Sequence, residues 1–136
     1  MVITLDETLK KIEQFHGHLG PYAVLGYRMG RIANEKLGAD PFLKAAIVWT
    51  NSTPPMSCVI DGIQISSGCT TGKANLTVLS GDIPKARFSD KNGKKIEVLL
   101  RDSVKNEIDT IVTEQNIVSY SEQLYLKSDQ ELFEIR

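Results

Sequence analysis

The chain has 136 residues, 41% hydrophobic and 24% charged, with a formal net charge of −1. That length suits one domain with a sizeable core, and the mix is that of a globular chain, not a disordered one. Near-neutral charge gives no electrostatic reason to expect nucleic acid or an anionic membrane surface, and no apolar run approaches the about 20 residues that span a bilayer.

Asp6 and Glu7 stand where a secretion signal needs an apolar stretch, so a cytosolic chain is expected. In that compartment its two cysteines, Cys58 and Cys69, read as free thiols, metal ligands or a redox pair, and neither belongs to a C-x-x-C.

Thr4-Leu-Asp-Glu7 has the pattern of a capping box, and Leu9, Ile12 and Phe15 follow at helical spacing. The helix breaks at Phe15-His-Gly-His-Leu-Gly-Pro21, where two glycines among two histidines predict a tight loop presenting imidazoles. Pro21 opens a second helix at a position where its missing N–H is no loss. That helix runs to Leu37 with Gly38 as its stop, and Tyr22, Leu25, Met29 and Ile32 form its core face. Gly26 and Gly30 lie four apart on it, each costing roughly 1 kcal/mol relative to alanine. Something must approach closely there: the domain's own sheet, or a second copy of the chain.

Residues 43–50 read as a buried strand, and 51–55 as a rigid loop, since two prolines exclude helix and central strand alike. Residues 56–66 form a third helix ending at Ser67-Gly68. Strands follow at 75–79 and 85–89, then the Asn-Gly signal within Asp90-Lys-Asn-Gly93 turns the chain into a strand at 94–100. Ser103 caps a helix carrying Val104, Ile108, Ile111 and Val112; a short helix is expected at 121–127, and a strand or extended tail at 132–135. The order α-α-β-α-β-β-β-α-α predicts a single α+β domain over residues 1–136, a two-layer sandwich with helices packed on a small mixed or antiparallel sheet.

The stretch with the densest chemistry is 58–76. On a helix, Cys58, Asp61 and Gln64 share one polar stripe opposite Val59, Ile60 and Ile63. Cys58 falls near the helix N-terminus, where the macrodipole favours a thiolate; the plain alternative is a small buried hydrophobe. Asp61 can orient a histidine or Lys73, or act as a base if desolvated. Cys69, Thr70, Thr71, Lys73 and Asn75 crowd into the turn beyond. Gly68-Cys-Thr-Thr-Gly-Lys73 is one residue short of a phosphate loop and has Ala74 where a magnesium-binding hydroxyl belongs, so a nucleoside-triphosphate site is not expected. His16 and His18, two apart on an extended loop, point to the same side or to opposite sides. Near a thiolate they would make a soft-metal site; otherwise one of them holds the loop.

With both motifs in view, the chain resembles the E-subunit family of formylmethanofuran dehydrogenase, including its stand-alone relatives. The resemblance rests on Phe15-His-Gly-His-Leu-Gly-Pro21 with Leu25-Gly-Tyr-Arg28, on Cys58-Val-Ile-Asp61-Gly-Ile-Gln64, on Gly68-Cys-Thr70-Thr-Gly-Lys73-Ala-Asn75-Leu, and on Asp129-Gln-Glu-Leu-Phe133. It implies an α+β sandwich, a metal or redox centre where the histidine loop meets the cysteine helix, and often a dimer. By that resemblance His18 and Cys58 are ligands, with Cys69, Thr70 and Lys73 nearby. Two departures stand out. Gly20 occupies a position where relatives usually carry cysteine, and the chain ends at Arg136 without cysteines for the C-terminal zinc-binding extension that many relatives have.

The resulting expectation is a metal-binding accessory or redox protein with a divalent transition metal, zinc foremost, held by Cys58 and His18 with His16 as support or third ligand. Cys58, Asp61 and Cys69 are its candidate catalytic groups, and Gln64, Thr70, Lys73 and Asn75 its candidate cofactor contacts. A homodimer and a redox or enzyme-complex partner are expected. Two other readings remain: a small metalloenzyme using the Cys58 thiolate and His18 on an unknown substrate, and an interaction module without a working site.

Overall fold

The computed structural model describes residues 5–136; the Thr4 capping box lies outside them. Among the described residues the chain runs α1 (Leu5–His16), α2 (Pro21–Leu37), β1 (Lys44–Thr50), α3 (Val59–Ser67), β2 (Leu76–Ser80), β3 (Lys85–Asp90), β4 (Lys95–Leu100), α4 (Asp102–Ile111), α5 (Ile117–Tyr125), α6 (Asp129–Leu132) and β5 (Phe133–Ile135).

The strands form one mixed sheet in the order β2-β1-β3-β4-β5. β1 pairs parallel with β2 and antiparallel with β3, and the remaining neighbours are antiparallel. The β3–β4 hairpin turns where Asp90-Lys-Asn-Gly93 predicts it: Asp90 Oδ1 accepts from the amides of Asn92 and Lys94, and Gly93 takes φ +86. Burial alternates along each central strand. Ala46, Val48, Ala86, Phe88, Ile96 and Val98 point into the core, where Leu25, Met29 and Ile32 of α2 meet them. The other face is polar at its centre, with Lys85 and Arg87 lying over the Trp49 ring and Arg87 paired to Glu97. This is the expected α+β architecture, helices on one face of a mixed sheet.

The glycines of α2 serve an internal contact. A Cβ built on Gly26 would lie 2.0 Å from the Val59 carbonyl oxygen, and one on Gly62 of α3 would lie 2.0 Å from that of Ala23. Gly30 faces Ser66 and Ser67 at the end of the same helix. The close neighbour is therefore α3, which corrects both the sheet and the second copy as explanations of Gly26 and Gly30. Only glycine lets the two backbones touch here, and Asn34 Nδ2 donating to the Ser66 carbonyl (2.9 Å) locks the far end.

Some boundaries differ from the sequence expectation. α4 starts at Asp102 behind Arg101, not behind a Ser103 cap, and α5 begins at Ile117, ahead of residue 121. The α6 turn is additional; Ser128 and Glu131 close a reciprocal capping box at its start. After it, residues 133–135 form an edge strand on β4. No helix among the described residues is long and apolar enough to cross a membrane.

Candidate functional site

The histidine loop is pinned at both ends. Leu9 and Ile12 of α1 pack with Leu19, Ala23 and Val24 in a small cluster beside the main core. His16 closes α1, Gly17 at φ +99 reverses the chain, and Gly20 leads into Pro21 in extended backbone (φ −126, ψ 153). Opposite, Pro54 and Pro55 deliver the chain into a 3₁₀ turn, Met56–Cys58, that runs straight into α3. The Gly26–Gly62 contact sets α2 against α3, and so brings the loop against Cys58.

Between them lies a cavity of ≈ 90 Å³ lined by His16, His18, Gly20 and Cys58, with Pro54, Pro55 and Ile117 as apolar wall. It is far below the about 300 Å³ at which small-molecule sites begin, and suits an ion with a few waters. Larger open depressions, ≈ 570 Å³ beside the start of α4 and ≈ 430 Å³ beside Phe42 and Lys73, contain no histidine or cysteine. Size and chemistry thus separate, and the chemistry lies in the small cavity.

His16 Nδ1 donates to Asp61 Oδ2 at 2.6 Å, and the His16 and His18 rings lie 4.9 Å apart. A carboxylate accepting at Nδ1 fixes the tautomer, leaving Nε2 of a neutral His16 with its lone pair free. Asp61 accordingly orients His16, and not Lys73. Cys58 is half-buried, and burial first, then the Asp61 charge, push its thiol above the ordinary range. This corrects the expectation of a dipole-favoured thiolate: desolvation outweighs the short helix behind it. Among the described residues, no three His, Cys, Asp or Glu side chains form a set that would hold a metal ion. His16, His18 and Cys58 line the same cavity without being gathered into such a set in the unliganded chain.

The other candidates are elsewhere. Cys69 is fully buried in the main core, its amide donating to Ser67 Oγ at 3.0 Å, and burial raises its thiol too. Gln64 Oε1 accepts from the Thr71 amide. The Thr70 amide donates to Asn75 Oδ1, and the Lys73 amide to Thr70 Oγ1. Asn75 Nδ2 donates to the carbonyls of Pro41 and Lys44. Gln64, Thr70 and Asn75 thus spend these polar atoms on backbone, building the α3–β2 turn, while the Lys73 ammonium lies over the Phe42 ring at 5.7 Å. None of the four lines the histidine cavity.

Two participants had no local signal. Ile117 reaches the cavity from α5, far downstream in the chain. Arg28 ties that part of the chain down: it is almost fully buried, donates to the carbonyls of Tyr125 and Lys127, and pairs with Asp129 at 2.8 Å. Tyr22, also on the wall, donates to Asp109 Oδ1 at 2.8 Å and so attaches α4 to the same corner.

A mixed sheet carrying an imidazole loop and a cysteine-bearing helix on its covered face defines the class: an α+β domain with a His/Cys cavity at a helix–helix joint. The model of the family described as "FmdE, Molybdenum formylmethanofuran dehydrogenase operon" matches residues 15–134, and the chain belongs to that family. A crystal structure of a tungsten formylmethanofuran dehydrogenase FmdE-like protein from Syntrophus aciditrophicus has the same fold, with a TM-score of 0.67 over 98% of this chain and 71% of that one, at 22% identity. A "Probable S-adenosyl-L-methionine-binding protein" from Archaeoglobus fulgidus is 39% identical over 82 residues, which is 55% of this chain. The match spans about a fifth (21%) of that relative's length.

Proposed function

We propose that this FmdE-family chain is a metal-binding accessory or redox protein that takes a divalent transition ion, zinc foremost, into the histidine–cysteine cavity. Cys58 and His18 are the ligands, and Nε2 of His16 is the third donor. The observation that carries the reading is the hydrogen bond from His16 to Asp61, with His16 lining a cavity it shares with His18 and Cys58. An outer carboxylate fixing a histidine's tautomer is the support that metal-ligating imidazoles usually have.

Two nitrogen donors and one sulfur suit a borderline-soft ion. With at most three protein ligands, a bound ion supplies an open coordination position of the kind catalytic zinc keeps. The chain's own contribution is a proton balance. Cys58 is held as a thiol, so loading the ion displaces its proton, and affinity rises with pH. An adenosylmethionine-sized ligand, the class in the Archaeoglobus relative's name, exceeds a cavity of ≈ 90 Å³.

The test is elemental analysis of untagged protein purified without chelator, followed by cobalt substitution. The parent is expected to take about one ion per chain and to show a thiolate-to-cobalt charge-transfer band. Cys58→Ser abolishes the band, His18→Ala weakens binding, and Cys69→Ser leaves both unchanged. A parent that stays empty even after reconstitution, or a band that survives Cys58→Ser, would sink the reading.

A further inference from the structure

His16, His18 and Cys58 supply the donors of the small cavity, while Pro21, Ala23, Pro54, Pro55 and Ile117 line it with apolar surface. Among the described residues on its wall there is no carboxylate, lysine or arginine. Tyr22 lines it too, but its hydroxyl is committed to Asp109 at 2.8 Å. Gly20 adds no side chain, and the space a Cβ would take there stands against the His18 ring. An occupant held by the donors therefore meets a wall with few polar groups to offer.

Size, charge and hydration limit what such an occupant can be. At about 30 Å³ for each water-sized group, ≈ 90 Å³ holds about three of them. An ion takes one share, which leaves room for a ligand of about two or three heavy atoms. A divalent ion and the Cys58 thiolate leave one net positive charge. Asp61 offsets little of it, since 37% of its side chain is exposed and water screens it. α2 starts on the same wall with no acidic residue in its first turn, so nothing there opposes an anion. Hydration then separates the anions. An oxyanion sheds tightly held water on entry and finds few donors in return, and a charge buried without hydrogen bonds is costly. A polarizable anion gives up its water easily and suits a borderline-soft, thiolate-bearing ion.

We infer that, with its ion in place, this cavity selects a small, soft monoanion of the thiocyanate, azide or hydrosulfide class over carboxylates and other oxyanions. The apolar wall sets the preference for a weakly hydrated ligand. Ile117, half-buried at the first position of α5, sets the upper limit of size. The inference rests on the metal-binding reading proposed above and extends it to the class of ligand the open coordination position takes.

The test titrates the cobalt-loaded full chain with sodium thiocyanate and with sodium formate, anions equal in charge and in heavy-atom count, and follows the ligand-field bands. The parent should bind thiocyanate at least tenfold more tightly than formate. Ile117→Asn puts an amide on the wall and should narrow that ratio at least threefold. The ion's own preference is common to both proteins, so the change in ratio reports the wall. Ile117→Ala enlarges the cavity and should bind imidazole, which the parent excludes on size, at least tenfold more tightly than the parent does. In each protein the thiolate-to-cobalt band shows that the ion is held, and the parent's ratio is read even if a variant fails to fold. A parent without that band overturns the metal reading and this inference with it. A parent that shows the band yet binds formate as tightly as thiocyanate overturns this inference alone. So does a folded Ile117→Asn variant with the parent's ratio, or a folded Ile117→Ala variant that binds imidazole no better than the parent.

Discussion

Replacing Gly20 by cysteine restores a thiol where relatives of the FmdE family usually carry one, and the structure allows its effect to be worked out. Gly20 has extended backbone, φ −126 and ψ 153, that any L residue adopts, so its substitution meets no left-handed strain. A Cβ built there lies 3.1 Å from His18 Cε1, and the two next-nearest atoms, at 3.7 and 3.8 Å, belong to the same ring. The ring must yield by a few tenths of an ångström, and no backbone stands in the way. Fewer backbone states in the unfolded chain offset the crowding by about 0.4–1 kcal/mol. The metal-free variant should therefore match the parent's stability to within about 1 kcal/mol. A second thiolate in the cavity adds a soft ligand, and a tenfold or greater gain in zinc affinity is expected, about 1.4 kcal/mol. Competition titration with a chromophoric chelator measures this. Gly20→Ser is the control, because it introduces the same Cβ and nearly the same shape without the thiol. If folded Gly20→Cys binds zinc no tighter than Gly20→Ser, position 20 does not serve an ion and the proposed ligand map is wrong.

Three further outcomes follow from the geometry. Asp61→Asn should cost about 10–100-fold in ion affinity by releasing His16, read by the same titration; unchanged affinity would make that hydrogen bond a purely structural one. Gly62→Ala would place a Cβ 2.0 Å from the Ala23 carbonyl oxygen and 2.4 Å from the Tyr27 amide, forcing two backbones apart at a cost of about 3 kcal/mol; a urea midpoint that barely moves would refute the close approach. Burial raises the Cys58 thiol pKa above its unfolded value, so its contribution to stability is full below the ordinary thiol range and is lost as pH rises through the folded value. The metal-free parent should then lose stability on the alkaline side more steeply than Cys58→Ser in urea melts, and parallel curves would contradict this.

The parts of this fold legible in the sequence are those fixed by local backbone chemistry. Pro21 and Gly38 bound α2, Gly68 in a left-handed conformation ends α3, and Asp90 with Gly93 makes the hairpin turn. Gly26 and Gly30 announced a close approach but not with what, because the answering glycine, Gly62, sits on a different helix. α6 carried a readable signal, Ser128 three before Glu131, yet the helix it caps is four residues long and hard to separate from an extended tail. The site was legible in part. His16, His18 and Cys58 do line one cavity, but whether a thiol at a helix start ionises depends on burial, which periodicity does not measure. Gln64, Thr70 and Asn75 look alike in sequence whether they bind a cofactor or hold a turn. Only the destinations of their polar atoms distinguish the two cases.

The α2–α3 joint has a consequence for how this protein can change. Where helices meet through large side chains, exchanging one of them lets the axes drift, and any site suspended between them loses its alignment. Here the spacer is peptide against peptide, so the span from the histidine loop to Cys58 is set by atoms that no ordinary substitution alters. Ile117, which reaches the cavity from α5, can then be varied as a lining of a rigid frame without displacing the donors. The same joint that tolerates almost no change at Gly26 and Gly62 leaves the chemistry of the cavity open to revision.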